Sequence, residues 1–247
     1  AWGTNVLDLD DSQVDNLRDK CSRHSMKVSC IGSPVGKSPI EEPLETVLSD
    51  LSRILDIAET MNTGLVRVFS FYPPEGASLA DYVDRSISRL TQMADMAAAR
   101  GILLLLENEG GLVGDTPERC LALLEGVDNP GLSFVWDTGN FPHSGVSYAF
   151  DRGWPILGNR VACVQVKDAL VADKTITVAG DGDGQIPELL VALRESGYGG
   201  FLALEPHLKV AGQRGGFSGP DGMRRAAEAL RGLMTAVGCQ ETATPGS

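Results

Sequence analysis

Four apolar runs in this chain each end in an oxygen-bearing side chain: LLLL before Glu107, SFVW before Asp137, VACV before Gln165 and FLAL before Glu205. They belong to a longer alternation of short apolar runs with segments of helical period, which is the mark of parallel βα units. Strands are expected over 27–32, 66–71, 103–108, 133–137, 161–168 and 201–206. Between them Leu79, Val83, Ile87, Leu90, Ala94 and Ala97 recur at helical spacing, with Ser78 as the cap and Gly101 as the stop. Leu44, Val47, Leu48, Leu51, Ile54, Leu55 and Ala58 repeat that pattern before Gly64. Thr116-Pro117-Glu118 joins an N-cap, a proline at N1 and a first-turn acid; Asp221 opens a last helix, and another covers about 12–24.

Side chains in a strand alternate faces, so Leu105 shares a direction with Glu107, Val135 with Asp137, Cys163 with Gln165 and Ala203 with Glu205. If those apolar partners fill a barrel interior, the four polar tips converge at the C-terminal mouth, where barrel active sites are built. Three carboxylates brought together there repel one another unless protonated or neutralised by a cation. An all-oxygen set with one amide favours Mn²⁺ or Mg²⁺, with Co²⁺ next. The plainer alternative is that strand ends are polar because they meet solvent.

The motifs LLLLENEGG at 103–111, WDTGN at 136–140, VQVKD at 164–168 and LEPHL at 204–208 resemble the xylose-isomerase-like TIM-barrel superfamily, the sugar phosphate isomerase/epimerase family. The resemblance spans nearly the whole chain. It implies an α/β fold of the (β/α)8 TIM-barrel type, here lacking the first one or two β/α units, because the chain opens almost directly into a helix. A single domain is expected over 1–239, followed by a polar tail over 240–247. Sheet edges left bare by missing strands invite pairing, so a partner, a rearranged N-terminus or a second copy, hence a homo-oligomer, is expected to cover them.

The family order Glu, Asp, His or Gln, Glu holds one divalent metal and falls on Glu107, Asp137, Gln165 and Glu205. Glutamine at 165, where the epimerases usually carry histidine, is shared with some related dehydratases. The implied activity is isomerisation or epimerisation of a sugar or sugar phosphate through a metal-stabilised enediolate, with Glu107 and Glu205 as acid and base and Asp137 and Gln165 as ligands only. The alternatives are a lyase or dehydratase of a keto-sugar or keto-cyclitol, and a sugar-binding barrel without catalysis. The superfamily's many-histidine endonuclease branch fits poorly with a chain that has only His24, His143 and His207.

Further candidates surround this set. Arg67 shares strand parity with Phe69 and Phe71 and either binds a substrate oxygen or pairs with an acid. Lys167 shares parity with Gln165 and is expected to contact substrate or act as an acid, while Asp168 points outward and orients a loop. Asn140 is a substrate contact or a turn residue, His143 a substrate contact or a surface histidine of a loop, and His207 a contact at the rim. Glycine runs at 180–184 and 212–219 lack the setting of a nucleotide-binding loop, so they are expected to be mobile loops and no nucleotide cofactor is expected. The second run follows the last strand, where Lys209 or Arg214 could assist a phosphate.

A net charge of −12 opposes binding to nucleic acid. No run approaches the ~20 apolar residues of a membrane span, and the first residues lack a secretory pattern, so the expectation is a cytoplasmic protein with a small carbohydrate as partner. Five scattered cysteines without CxxC spacing suggest buried thiols.

Overall fold

The computed structural model describes residues 3–208 and 218–241. In chain order its elements are α1 (Asp11–Arg23), β1 (Ile31–Gly32), α2 (Leu44–Thr60), β2 (Leu65–Val68), α3 (Val83–Ala98), β3 (Leu103–Glu107), α4 (Pro117–Val127), β4 (Leu132–Asp137), α5 (Asn140–His143), α6 (Ala149–Leu157), β5 (Val161–Val166), β6 (Asp168–Ala169), β7 (Ile176–Thr177), α7 (Ile186–Glu195), β8 (Leu202–Leu204) and α8 (Gly219–Ala236). The strands follow the order β1-β2-β3-β4-β5-β8, with β6 and β7 a separate antiparallel pair. Among the described residues the main sheet is thus 6-stranded, short of the eight of a closed barrel, as the expected α/β fold requires. Two compact units make up the chain, Ala1–Glu107 with Leu112–Gly114 and Ala122–Phe134, and Asn108–Gly111 with Asp115–Leu121 and Val135–Ser247.

In the first unit β1 and β2 run parallel with Ile31 opposite Val66, and β2 and β3 with Val66 opposite Leu104. A reciprocal capping box opens α1: the Asp10 side chain accepts from Gln13 N, and Gln13 Oε1 accepts from Asp10 N. Leu51, Ile54, Leu55 and Ala58 of α2 and Leu90, Met93, Ala94 and Ala97 of α3 are fully buried, which makes these two faces the main apolar filling of the unit.

The expected elements were too long here in three places. Leu79–Tyr82 is a 3-10 turn in which Ser78 makes no side-chain cap bond, and the α-helix starts only at Val83. The strand expected to reach 71 stops at Val68, because Phe69 N, Phe71 N and Tyr72 N donate to Val35 O, Gly36 O and Ser38 O, and Phe71 turns left-handed at φ 72. Likewise only Ile31–Gly32 of 27–32 pairs as strand.

In the second unit β5 and β8 run parallel with Val164 opposite Leu202. Trp136 meets Phe141 and Trp154 edge to face, and α7 buries Ile186, Leu189, Leu190 and Leu193. The strand expected over 161–168 ends at Val166, and Asp168 begins the β6–β7 ribbon instead. The last helix starts at Gly219, ahead of the expected Asp221. Of the expected polar tail, 242–247 lies outside the described residues. Among the described residues no helix is long and apolar enough to cross a membrane.

Candidate functional site

Asp137 ends β4 with no solvent exposure. Its Oδ1 accepts from Gly139 N at 2.9 Å and Asn140 N at 2.8 Å, which starts α5 and fixes the rotation of the carboxylate. Its backbone is held by Asn108, whose Oδ1 accepts from Asp137 N at 2.9 Å and whose Nδ2 donates to Asp137 O at 3.0 Å. Asn140 Nδ2 in turn donates to Asn108 O at 2.8 Å. Asn140 is therefore engaged with backbone at the start of a helix.

Lys167, 5% exposed, places Nζ 2.9 Å from Asp137 Oδ2 and 3.0 Å from Glu205 Oε2. Its stem passes so close to Gly139 that a Cβ there would lie 2.6 Å from Lys167 Cγ, which is why WDTGN needs glycine. Thr138 Oγ1 donates to Lys167 O and accepts from Lys167 N at 3.2 Å, so the lysine backbone is fixed as well. Glu205 follows β8, half-buried, with its N donating to Val166 O at 3.0 Å. His207 Nε2 lies 3.4 Å from Glu205 Oε1. Burial pushes the Glu205 pKa up, but the His207 hydrogen bond and the Lys167 charge outweigh it and hold the carboxyl well below the usual range. Gln165, half-buried in β5 opposite Ala203, accepts at its backbone O from Thr138 N at 3.1 Å.

His143 ends α5 rather than lying in a loop, because Asp137 caps that helix. Its Nδ1 lies 3.0 Å from Lys174 O and so holds the turn between β6 and β7. Asp168 is buried and orients a loop, the glycine run: it accepts from Ala169 N at 2.9 Å, Gly180 N at 2.9 Å, Gly182 N at 3.1 Å and Gly184 N at 2.9 Å. The segment 180–184 is thereby an anchored loop whose amides face a carboxylate of their own chain. Lys209 and Arg214 lie outside the described residues.

In the first unit Glu107 ends β3 at 1% exposure and forms an ion pair with Arg67 Nη1. Arg67 Nε donates to Ser33 O at 3.2 Å, and its guanidinium sits 4.3 Å from the Phe69 ring centroid. Of the two uses weighed for Arg67, pairing with an acid is the one displayed.

Two residues that position the site went unrecognised in the sequence, Asn108 and Thr138. Both directly follow a ligand candidate, Glu107 and Asp137, and that adjacency was the available signal. Chemically, the second unit presents two carboxylates sharing one buried ammonium with a histidine and an amide alongside, and the first presents a buried carboxylate held by an arginine. Acids, bases and oxygen ligands suited to a hard cation are all present.

A profile of the xylose isomerase-like TIM barrel family matches residues 1–233, and the chain belongs to that family. An uncharacterised protein of Methanocaldococcus jannaschii is 27% identical over 150 residues, covering 59% of this chain and 51% of that protein, so the chain spans about half the length of this curated relative. A D-tagatose 3-epimerase-like protein has the same fold, with TM-score 0.74, 20% identity, and 93% and 85% of the two chains covered. So does the probable 3-DHS dehydratase of petrobactin synthesis from Bacillus anthracis, with TM-score 0.69, 15% identity, and 90% and 82% covered. Other proteins of this fold were solved with a zinc atom, or, from Mycobacterium smegmatis, with magnesium. At such identities the likeness shows the fold.

Proposed function

We propose that this member of the xylose isomerase-like TIM-barrel family is a divalent-metal-dependent isomerase or epimerase of a sugar or sugar phosphate, with Glu107, Asp137, Gln165 and Glu205 as metal ligands. The observation that carries this is the Lys167 ammonium between Asp137 and Glu205. Two carboxylates so placed need positive charge between them, and a divalent ion meets that need with more charge. Glu107, the buried carboxylate that ends β3 in the first unit, is the third acid of the proposed set. The all-oxygen donors favour Mn²⁺ or Mg²⁺, then Co²⁺.

When bound, the ion supplies positive charge where a substrate carbonyl oxygen gains negative charge. Glu205, held ionised by His207 and Lys167, is in the form that takes a proton from the carbon beside that carbonyl. Its basicity rises once Lys167 moves away. Glu107 returns a proton on the other face, and Asp137 and Gln165 serve as ligands. Arg67, Lys167 and His207 contact substrate; Asn140 and His143, already bonded to or held against backbone, do so less directly.

A metal-dependent lyase stands second, favoured by the gathering of both Lys167 and His207 on Glu205, where either could protonate a leaving group. The deciding experiment is metal content by mass spectrometry of the wild type and of Glu205→Gln, followed by a keto-sugar screen in D₂O. About one equivalent in the wild type, lost in the variant, with deuterium entering the sugar and no elimination, is expected. Elimination shifts the assignment to the lyase, and absence of metal from both proteins after titration with Mn²⁺ overturns the enzyme reading.

A further inference from the structure

Within the second unit a cavity of about 480 Å³ lies between the α6 entry, the 180–184 loop and the first turn of α7. Tyr148 on its wall is a left-handed residue, φ 53 and ψ 45, with 70% of its surface exposed. A bulky side chain in that conformation costs roughly 1–2 kcal/mol. Its exposed ring recovers little by burial, so the fold alone gives no reason for tyrosine at this position.

The strained conformation is nevertheless braced. Tyr148 precedes α6 without capping it, and Gln185 does so from across the cavity: Gln185 Oε1 accepts from Phe150 N at 3.1 Å and Gln185 Nε2 donates to Asp151 Oδ2 at 2.9 Å. Gln185 is itself left-handed, φ 52 and ψ 42. The opposite wall is fixed by the bonds from Gly180, Gly182 and Gly184 to Asp168. The cavity is therefore preformed, and two non-glycine residues are held in costly conformations on its lining.

Its chemistry is specific. Among the described residues the lining offers one open aromatic ring, the carboxylates Asp183 and Glu188 beside Asp168, which the glycine amides already engage, the Ser147 hydroxyl, and neither lysine nor arginine. Phosphates and carboxylates are disfavoured by that charge, whereas an uncharged polyhydroxylated ring can lay its C–H face on tyrosine and donate hydroxyls to the acids. We propose that this cavity is a carbohydrate subsite, separate from the metal ligands, that binds a neutral sugar or cyclitol ring stacked on Tyr148.

The test is titration of D-glucose and of myo-inositol into metal-loaded and metal-stripped protein, followed by NMR, beside D-glucose 6-phosphate. Neutral rings are expected to bind equally in both forms, the phosphate more weakly, and the preferred neutral ring identifies the class. Tyr148→Trp should retain binding. Tyr148→Gly should weaken it about 5- to 10-fold, the scale of a lost aromatic face, with no loss of folding stability, since glycine accepts this conformation freely. Binding that vanishes with the metal, that persists unchanged in Tyr148→Gly, or that is absent for both neutral rings overturns the proposal, whatever the metal content.

Discussion

Lys167 Nζ stands 2.9 Å from Asp137 Oδ2, with the lysine 5% exposed and the aspartate not at all. A cation held this far from water persists only while its carboxylates remain charged and close. In Lys167→Met the acids lose that compensation, and without metal the fold should weaken by about 3 kcal/mol or more. Mn²⁺ should restore more stability to the variant than to the wild type, because the ion no longer competes with the ammonium. Urea unfolding in EDTA and in Mn²⁺ checks this. An equal metal effect on both proteins would mean that lysine and metal do not share the site.

Arg67 and Glu107 form the corresponding pair in the first unit, the acid 1% exposed. Arg67→Met leaves a buried carboxylate without its cation and should cost roughly 3–5 kcal/mol. Adding Glu107→Gln should return most of that loss, since an amide needs no counter-charge. A double-mutant cycle on chemical denaturation measures the coupling; additive losses would show that Arg67 acts through packing on Phe69 instead.

The strand-end acids were legible because period-two alternation ties each of them to an apolar partner, as Val135 is tied to Asp137. The helical faces of α2 and of the later part of α3 were legible for the same reason, their apolar residues returning at three- and four-residue steps. Strand ends were less so: nothing at Phe69 to Phe71 announces that the chain leaves the sheet to pair with 35–38, because that pairing is set by a distant loop. The ion pairs of Lys167 were hidden for a related reason. Parity told that Lys167 lies on the side of Gln165, but its choice of Asp137 and Glu205 depends on a third strand. Asp168 shows the limit most plainly, since its partners at 180–184 look in sequence like a free loop.

Asp168 also carries a pH dependence. Burial raises its pKa, and the four backbone N–H donors offset this only in part. A carboxyl whose pKa is higher folded than unfolded contributes stability that is fully present below the unfolded value and is lost as pH rises through the folded one. The stability difference between wild type and Asp168→Asn should therefore favour the wild type most at low pH and shrink as pH rises. Denaturation midpoints of both proteins across the acid range check the sign; a difference that grows with pH would show that the amide donors outweigh burial.

Gly36 and Gly76 are both left-handed, at φ 81 and φ 77, yet they differ in what surrounds them. A Cβ on Gly36 would lie 2.1 Å from Phe69 O, whereas one on Gly76 would meet nothing within 4 Å. Gly76→Ala should thus cost only the conformational term, about 1 kcal/mol. Gly36→Ala adds a collision with backbone that is fixed by the bonds from Phe69 N to Val35 O and from Phe71 N to Gly36 O. Relief requires parting the loop from the end of β2, which loses those bonds at about 1 kcal/mol each and loosens Arg67 through Ser33. The expected loss is about 3 kcal/mol, with faster hydrogen exchange at Phe69 and Phe71 in Gly36→Ala alone. Equal losses in the two variants would show that the loop yields to the added methyl group, so that Ser33 cannot be what holds the arginine against Glu107.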